Sequence, residues 1–262
     1  MKIAIIGVGA MGGAIAEGLL HSGSIKPGDI IAANPHTDKL RHLADAGAVV
    51  TSDNKAAAAA ADVVIVAVKP WLAEEVMKDI KTVMDYRRQM LVSVVAGVSA
   101  EQTGEWLEKD GVRPRLFLVI PNTAASVCES MTFVAPFNAS DEDTTIIKEL
   151  FDTIGSTIIT DEQHLAAGMI LASCGTAFAM RYIRASVEGG VELGFRAAEA
   201  TQIVAQTVKG ATRLLMTDGG HPEAEIDKVT TAGGITIKGL NAMEQAGFTG
   251  AVIQGLKVAA GK

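Results

Sequence analysis

The chain has 262 residues, is 48% hydrophobic and carries a formal net charge of −7 at pH 7. That length suits one large domain or two modest ones. A duplex nucleic-acid partner is excluded, because such a partner requires a basic face on the protein. No membrane span is expected either, since the longest weakly polar stretch, residues 56–68, is mostly alanine and is interrupted by Asp62.

The two cysteines, Cys128 and Cys174, are too few for a disulfide framework, and neither belongs to a CxxC pair. The first residues lead straight into an apolar run rather than into a signal sequence. We therefore expect a soluble protein of the reducing cytoplasm.

Short, continuously apolar segments alternate with helical segments over residues 1–160. Such runs are typical of parallel strands that helices cover on both faces. Two helix starts are indicated by Ser99 with Gln102 and by Ser140 ahead of an acidic turn. The predicted strands are Ile3–Ile6, Ile30–Ala33, Val49–Thr51 and residues 63–68, 91–95 and 116–120. The alternation indicates a doubly wound α/β domain.

Residues 161–262 show almost no strand pattern. The sequence predicts long helices rich in alanine, methionine and isoleucine, with breaks at Gly189-Gly190, at residues 219–222 and at Gly233-Gly234. With so few large aromatic residues, these helices would have difficulty burying their apolar faces within a single chain. We expect an all-α helical dimerisation domain that buries one face against a second copy of the chain, as a homodimer. The alternative is a self-contained helical cap.

A GxGxxG pattern follows the first predicted strand and precedes a predicted helix. Glycines in this context allow a tight turn, close approach of the backbone to a pyrophosphate, and close packing of helix on strand. The N-terminus of the helix offers N–H groups to the phosphates. The pattern is Gly7-Val8-Gly9-Ala10-Met11-Gly12. It indicates a Rossmann-type dinucleotide-binding domain.

The end of the second strand bears on the choice of cofactor. NAD enzymes usually carry a carboxylate there, which binds the ribose 2′-hydroxyl. Here the strand runs into Asn34-Pro35-His36-Thr37, and the first carboxylate is Asp38. A neutral end tolerates a 2′-phosphate, to which Asn34, His36 and Thr37 could hydrogen-bond. NADP(H) is therefore favoured, and NAD(H) stays open because no arginine is placed to clamp the phosphate.

Three further loops follow predicted strands at their carboxyl ends, where open α/β sheets bind ligands. They are Ala67-Val68-Lys69-Pro70, Ala96-Gly97-Val98-Ser99 and Pro121-Asn122-Thr123, and Asn54 follows the short third strand. Their placement along one edge predicts a ligand crevice.

The five histidines predict no metal site, because none is spaced to pair with another histidine, a cysteine or clustered acids. The sequence also contains no Ser/His/Asp order and no nucleophile elbow. Hydride chemistry with little acid–base help from the protein is what remains.

These motifs resemble those of the pyrroline-5-carboxylate reductase family over essentially the whole chain. The most specific part is a late segment, residues 229–236 (Val-Thr-Thr-Ala-Gly-Gly-Ile-Thr), followed by residues 237–240 and Glu244. The resemblance implies a Rossmann domain joined to a helical domain that interlocks between subunits, often with rings of dimers. It also implies reduction of pyrroline-5-carboxylate to L-proline with NADPH.

The resemblance further implies where the ligands bind. Thr236 would hydrogen-bond the ring nitrogen and is the candidate catalytic residue, and Glu162 would approach the same pocket. Backbone N–H and hydroxyl groups at a glycine turn that opens a helix would hold the substrate carboxylate. Those groups belong to Thr231, Gly233, Gly234 and Ile235. The candidate cofactor contacts are Gly7, Val8, Gly9, Ala10, Met11, Gly12, Asn34, His36, Asn54, Ala67, Val68, Lys69, Pro70, Ala96, Gly97 and Asn122.

The chain departs from the family pattern at several positions. A small-residue run, Gly-Ser-Gly-Pro-Ala-Tyr in the family, is Ser-Cys-Gly-Thr-Ala-Phe here, residues 173–178. Ala124 and Ala232 stand where prolines are expected, and Cys128 and Ser130 stand where glycines are expected.

Two other functions remain as alternatives. One is an NADP-binding regulatory or sensor protein that kept the fold and lost catalysis. The other is a β-hydroxyacid dehydrogenase, which shares the N-terminal architecture. That class needs a catalytic lysine on a helix of the second domain, and no lysine lies between Lys148 and Lys209.

Overall fold

The computed structural model describes residues 1–218 and 220–262 and divides into two compact units. The N-terminal unit is Met1–Ser173 and the C-terminal unit is Cys174–Lys262. The domain boundary predicted between Thr160 and Asp161 falls just before a helix that begins at Glu162. That boundary stays a prediction.

An eight-stranded sheet forms the centre of the N-terminal unit, in the order β3-β2-β1-β4-β5-β6-β7-β8. Neighbouring strands pair in parallel, except β6 and β7, which are antiparallel. The first six strands have the doubly wound order 3-2-1-4-5-6, which confirms the predicted fold class. The strands are β1 Ile3–Ile6, β2 Ile30–Ala33, β3 Val49–Thr51, β4 Val63–Val66, β5 Met90–Ser93, β6 Arg115–Ile120, β7 Ser130–Phe137 and β8 Gly155–Ile159.

Burial explains which strands the sequence predicts well. Every residue of β1, β2, β4 and β5 is buried, as expected for parallel strands covered on both faces. The predicted strand ends at residues 68 and 95 are two residues too long, because β4 ends at Val66 and β5 ends at Ser93. The residues that follow them leave the sheet at its carboxyl edge.

The last two strands are absent from the prediction. Strand β7 contains Ser130, Thr132 and Pro136, so it is not a continuous apolar run. Strand β8 forms the edge of the sheet and leaves Ile158 and Ile159 exposed. Neither segment is a continuous apolar run of buried residues, which is the pattern that predicts parallel strands.

Helices cover both faces of the sheet. One apolar cluster contains Ile15 and Leu19 of the first helix and Phe151 of the sixth, and the other contains Met77 and Leu165. The α-helices of this unit are α1 Ala10–Ser22, α2 Arg41–Asp45, α3 Asn54–Ala60, α4 Pro70–Lys81, α5 Ala100–Leu107, α6 Asp141–Asp152 and α7 Glu162–Met169. Three 3-10 helices span Pro27–Asp29, Thr37–Leu40 and Thr123–Val127.

Both predicted helix starts are present. Ser140 and Asp143 form a reciprocal capping box at α6, and the Ser99 hydroxyl accepts a hydrogen bond from Gln102 N, 3.1 Å away, at α5. Such caps satisfy N–H groups that the first turn of a helix leaves without partners.

The described part of the C-terminal unit is helical, as predicted. A π-helical segment, Ile170–Cys174, leads from α7 into α8. The helices are α8 Gly175–Glu192, α9 Ala197–Asp218, α10 Pro222–Val229, α11 Ile235–Gln245 and α12 Phe248–Ala259.

The predicted break at Gly189-Gly190 is wrong, because α8 continues through both glycines to Glu192. A Cβ on Gly190 would lie 3.0 Å from the Ala200 Cβ, so the missing side chain allows α8 and α9 to pack closely. The chain turns instead at Gly194, which has a φ of +100°. Gly190 therefore marks close helix packing rather than a helix end.

The other two predicted breaks lie between helices. The Gly233-Gly234 break separates α10 from α11, with Gly233 in the left-handed region at a φ of +72°. Helix α10 begins at Pro222, within the break predicted at residues 219–222, and Gly219 of that segment lies outside the described residues.

The C-terminal unit of the single chain exposes many large apolar side chains. Leu193 is 82% exposed and Ile235 is 88% exposed, whereas Val187 and Ala200 are buried. Within the described residues, the helical stretch 162–192 is long and apolar enough to cross a membrane by length and composition, which is weak evidence by itself. Exposed apolar faces on adjacent helices are equally typical of a surface that a partner covers.

Candidate cofactor and substrate site

The ends of the parallel strands lie in one hydrogen-bonded row. Ala33 of β2 is level with Ile6 of β1, Ile6 with Val66 of β4, and Val66 with Ser93 of β5. Adjacent strands are about 4.8 Å apart, so the end of β5 lies about 10 Å from the end of β1. Two of the three loops predicted to form a ligand crevice, residues 67–70 and 96–99, follow strands of this row. The third, residues 121–123, follows β6, whose Leu118 is level with Ser93.

The first glycine turn leaves β1 directly and leads into α1. Gly7 has a φ of +94°, and a Cβ there would lie 2.6 Å from Val68 Cγ1. A Cβ on Gly12 would overlap the Gly7 carbonyl oxygen. A Cβ on Gly9 would meet no described atom within 4 Å. Gly7 and Gly12 therefore serve the turn itself, whereas Gly9 leaves room for a ligand.

The N-terminus of α1 suits an anion. Gly9 is its N-cap and supplies no side-chain hydrogen bond, and the first turn contains no acidic residue. The first N–H groups of the helix, together with its dipole, then favour a phosphate. Over this turn lies a cavity of about 350 Å³, which Gly9 lines with Lys39 and Thr123.

Lys39 is a candidate cofactor residue that the sequence patterns do not indicate. Its side chain is exposed beside the glycine turn, and it forms no ion pair with any described residue. In the same cavity the His42 ring lies 3.2 Å from the Glu17 carboxylate. A lysine one position after the first acid beyond β2 was the available signal, but surface lysines are too common for it to stand out.

Asn34 links the end of β2 to the glycine turn. Its side-chain Nδ2 donates to Val8 O at 3.0 Å, and its Oδ1 accepts from His36 N at 2.9 Å. Both bonds hold the loop in shape, and His36 itself is exposed. Asn54 opens α3, whose N-cap is Asp53.

The loop after β4 contacts the glycine turn from the other side. Ala67 N donates to Ile6 O at 2.7 Å, and Ala67 and Val68 are the neighbours that a Gly7 Cβ would strike. Lys69 is the N-cap of α4 without a side-chain bond to it, and Pro70 occupies the first turn. Lys69 is exposed, so its charge is available at this edge.

A second cavity, of about 300 Å³, lies at the ends of β5 and β6. Ser93, Ala96, Gly97 and Ile120 line it together with Glu162 and Leu165 of α7. The structure thus brings Glu162, a candidate substrate residue, beside two candidate cofactor residues.

Glu162 is fixed in that cavity by hydrogen bonding. Its Oε1 accepts from Ala100 N at 3.1 Å, in the first turn of α5. Asp161 is the N-cap of α7, and a hydrogen bond from the His164 ring lowers the pKa of the Asp161 carboxyl. The start of α7 is therefore tied both to its own first turn and to the first turn of α5, which follows the loop that carries Ala96 and Gly97.

Asn122 holds the loop after β6. Its Oδ1 accepts from Ala124 N at 3.0 Å, its Nδ2 donates to Ala172 O at 3.4 Å, and the residue is 7% exposed. Its backbone N–H donates to the Ser130 hydroxyl at 3.2 Å. These bonds give Asn122 a structural task in addition to any contact with a ligand.

The same loop contains Cys128 and Ser130, two residues that stand where glycines are expected. Cys128 adopts a φ of +59°, a conformation that glycine enters without strain. Ser130 uses its hydroxyl as the acceptor for Asn122 N and also contacts the Thr132 hydroxyl at 3.0 Å.

The late glycine turn opens helix α11 in the C-terminal unit. Gly234 is the N-cap without a side-chain bond, and its N–H donates to Thr231 O at 2.9 Å. Thr231, Ile235 and Thr236 are exposed. The first N–H groups of α11 and two threonine hydroxyls are therefore available to an anion. Among the described residues no group of three or more His, Cys, Asp or Glu side chains could hold a metal ion.

Comparison with known proteins gives two family matches. Residues 162–262 match the family model for pyrroline-5-carboxylate reductase dimerisation. Residues 2–97 match a model described as NADP oxidoreductase, coenzyme F420-dependent.

Individual relatives match over the whole chain. Pyrroline-5-carboxylate reductase 2 of Dictyostelium discoideum is 37% identical, over 100% of this chain and 91% of the relative. Pyrroline-5-carboxylate reductase 1 of that organism is 38% identical over 99% of this chain, which spans about half (49%) of that relative's length. The crystal structure of Plasmodium falciparum pyrroline carboxylate reductase with NADP bound is similar at a TM-score of 0.88 and 23% identity, covering 99% of this chain and 95% of that one.

Proposed function

The chain belongs to the pyrroline-5-carboxylate reductase family, and we propose that it reduces 1-pyrroline-5-carboxylate to L-proline with NADPH. The observation that carries this proposal is the pair of uncapped, glycine-opened helix starts, at Gly9 of α1 and at Gly234 of α11. One suits the phosphates of a dinucleotide and the other suits a small carboxylate.

The cofactor side of the proposal uses the carboxyl edge of the sheet. The open space at Gly9 and the bare first turn of α1 fit a pyrophosphate. Lys39 adds a positive charge beyond β2, where no carboxylate ends the strand, and this supports NADPH over NADH. The proposed cofactor contacts are the sixteen candidate residues named from the sequence, with Lys39 added.

The substrate side uses the start of α11. The N–H groups after Gly234 and the Thr231 hydroxyl would bind the carboxylate, and Thr236 would hydrogen-bond the ring nitrogen. Glu162 is proposed to reach the same pocket from α7. The proposed domains are residues 1–160 for the cofactor and residues 161–262 for dimerisation and substrate.

The residues of the chain would act mainly by positioning. NADPH, when bound, supplies a hydride from its nicotinamide ring to the C=N carbon of the substrate. A protonated ring imine is already electrophilic, so a C–H bond forms as the C=N π electrons move to nitrogen, and no protein acid is required. Fixing the carboxylate at Gly233-Gly234 and the nitrogen at Thr236 holds the reacting carbon in place, which is worth roughly 7–11 kcal/mol in favourable cases.

Assembly is part of the proposal. The exposed apolar side chains of the C-terminal unit support a homodimer, which can associate further into a ring of dimers. A partner that covers helix α8 also accounts for the apolar stretch 162–192, which supports a soluble, cytoplasmic enzyme.

The deciding experiment follows NADPH oxidation by the loss of absorbance of the reduced nicotinamide, with pyrroline-5-carboxylate as substrate, and then repeats the measurement with NADH. We expect turnover with both and a lower KM for NADPH. Binding of NADPH without oxidation would favour the sensor alternative. Oxidation of a β-hydroxyacid in the reverse assay, with no activity on the cyclic imine, would favour the dehydrogenase alternative.

A further inference from the structure

The Ser93 hydroxyl is buried without a hydrogen-bond partner. Ser93 is 2% exposed, and among the described residues its Oγ is one of four buried side-chain polar atoms that lack a partner. Buried hydroxyls are normally satisfied, because leaving one unpaired costs free energy. Of these four, Ser93 is the one that lines the cavity beside Ala96 and Gly97.

Ser93 lies at a defined distance from the phosphate turn. It is the last residue of β5 and is level with Val66, which is level with Ile6, immediately before Gly7. Two strand spacings separate Ser93 from the glycine turn, about 10 Å along the carboxyl edge. A dinucleotide whose pyrophosphate lies at Gly9 can extend along this edge toward β5.

The cavity wall selects a neutral group. The described residues that line it include no lysine, arginine or histidine, and Glu162 places a carboxylate in it. A carboxylate inside this cavity would therefore be repelled, which agrees with the proposal that the substrate carboxylate binds at the start of α11 and that only its ring approaches Glu162. The remaining wall is largely apolar, with Val95, Leu118 and Leu165, and Ser99 already uses its hydroxyl to cap α5. A flat ring with one neutral hydrogen-bonding substituent fits these surroundings.

We propose that the Ser93 hydroxyl is the hydrogen-bond partner of the nicotinamide carboxamide, and that it orients the ring in this cavity. The hydroxyl donates to the carboxamide oxygen or accepts from its NH2 group, so either orientation of the amide satisfies Ser93. The Glu162–Ala100 hydrogen bond is the positioning contact, since it holds the first turn of α5, which follows the Ala96-Gly97 loop, against α7. The inference rests on the proposed function for the identity of the cofactor.

The test compares two ligands on one variant. Ser93→Ala is expected to raise the Kd of NADPH about tenfold, which corresponds to about 1.4 kcal/mol. The Kd of 2′-phospho-ADP-ribose, which has the phosphates and adenine but no nicotinamide, is expected to change less than about twofold. Both are measured by titration calorimetry on the assembled full-length protein. Ser93→Cys keeps a weaker donor of similar size, so its Kd for NADPH is expected to lie between those of the wild type and Ser93→Ala.

A matched control removes a different hydroxyl. Thr103 also has a buried, unpartnered Oγ1, but it does not line the cavity, so Thr103→Val is expected to leave both Kd values unchanged. Because Ser93→Ala deletes an unsatisfied hydroxyl, the Tm of the ligand-free protein is expected to hold or rise. Equal weakening of both ligands, or a higher KM for the imine with an unchanged NADPH Kd, would overturn the assignment. A loss of affinity for NADPH but not for 2′-phospho-ADP-ribose in Ser93→Ala, in a protein that shows no reductase activity, would support the role of Ser93. It would contradict the proposed function instead.

Discussion

Glu162 Oε1 accepts a hydrogen bond from Ala100 N at 3.1 Å, so a carboxylate on α7 caps the first turn of α5 across 62 residues of sequence. Replacing Glu162 with Ala leaves that N–H without its acceptor and is expected to lower the free energy of unfolding by about 1 kcal/mol, as loss of a cap does. Glu162→Gln keeps an acceptor oxygen and is expected to retain most of that stability. Urea unfolding of the three proteins at one protein concentration checks the order.

The same pair of variants separates structure from chemistry. If the Glu162 charge contacts substrate, Glu162→Gln lowers kcat severalfold although its stability stays near that of the wild type. Parallel losses of stability and turnover in both variants would leave Glu162 a structural cap alone.

An added methyl group is expected to weaken NADPH binding at Gly9 and to lower protein stability at Gly12. Gly9→Ala adds a Cβ that meets no described atom, so we expect a normal Tm but an NADPH Kd raised about tenfold or more, because the methyl occupies the phosphate approach. Gly12→Ala places its Cβ on the Gly7 carbonyl, so stability should fall by about 1–3 kcal/mol. Gly28→Ala, at an equally open position in a 3-10 helix, is the control. A Gly9→Ala protein that binds NADPH normally would contradict the phosphate assignment.

Lys39 is expected to distinguish the two nicotinamide cofactors. Lys39→Gln removes a positive charge near the end of β2 and should raise the KM for NADPH about fivefold, the order of 1 kcal/mol for an exposed charge pair. The KM for NADH should stay unchanged, and added salt should reduce the difference. Lys26→Gln, at another exposed lysine, controls for net charge. Equal changes for both cofactors would remove Lys39 from 2′-phosphate recognition.

Thr236→Ala is expected to lower kcat by about tenfold while the NADPH Kd stays constant, because Thr236 is proposed to orient the substrate nitrogen rather than the cofactor. Thr236→Ser keeps the hydroxyl and should recover most of the rate. Steady-state kinetics with both substrates varied, combined with NADPH titration, measures the two effects separately. Unchanged kinetics in Thr236→Ala would rule out that role.

Asp143 makes the stability of the N-terminal unit depend on pH. Burial alone would raise the pKa of its carboxyl, but hydrogen bonds from Ser140 and the Arg115 guanidinium, 2.5 Å away, outweigh burial and lower the pKa. A carboxyl with a lowered folded-state pKa stabilises the fold above its unfolded pKa, about 3.9, and that contribution is lost as the pH falls through the folded value.

Asp143→Asn is therefore expected to lose about 2 kcal/mol at pH 7, the range for hydrogen bonds to a charged group, and much less near pH 2. Urea unfolding across this pH range measures the difference. Glu74→Gln breaks an exposed pair with Lys78 and should change stability by less than about 0.5 kcal/mol at either pH. A constant Asp143→Asn deficit at all pH values would contradict the linkage.

The sequence predicts the parallel half of the sheet because continuous apolar runs report burial on both faces. Strands β7 and β8 are not predicted, because neither is a continuous apolar run buried on both faces. Strand β7 contains Ser130 and Thr132, and β8 is an exposed edge strand. Gly189-Gly190 misleads because glycine serves both helix ends and close helix packing, and the Ala200 contact that decides between them is tertiary.

In the candidate site, too, the sequence predicts the features that have a local pattern and not those that depend on tertiary contacts. GxGxxG and the late glycine turn are local patterns, and the structure gives both the expected turn before a helix. Lys39 and Ser93 have no such local pattern. One is a surface lysine placed beside the turn by the 3-10 helix after β2, and the other is a serine in an apolar run whose missing partner is visible only in three dimensions.

Backbone hydrogen bonds lock Ala33, Ile6, Val66 and Ser93 in register across four neighbouring strands. Inserting or deleting one residue inside any of these strands would displace its last residue by about 3.3 Å and turn its side chains to the opposite face. Loops beyond the row can lengthen or shorten without either effect. Changes of ligand preference in this fold are therefore expected in the segments just past the strand ends. Their length can vary while the sheet stays intact.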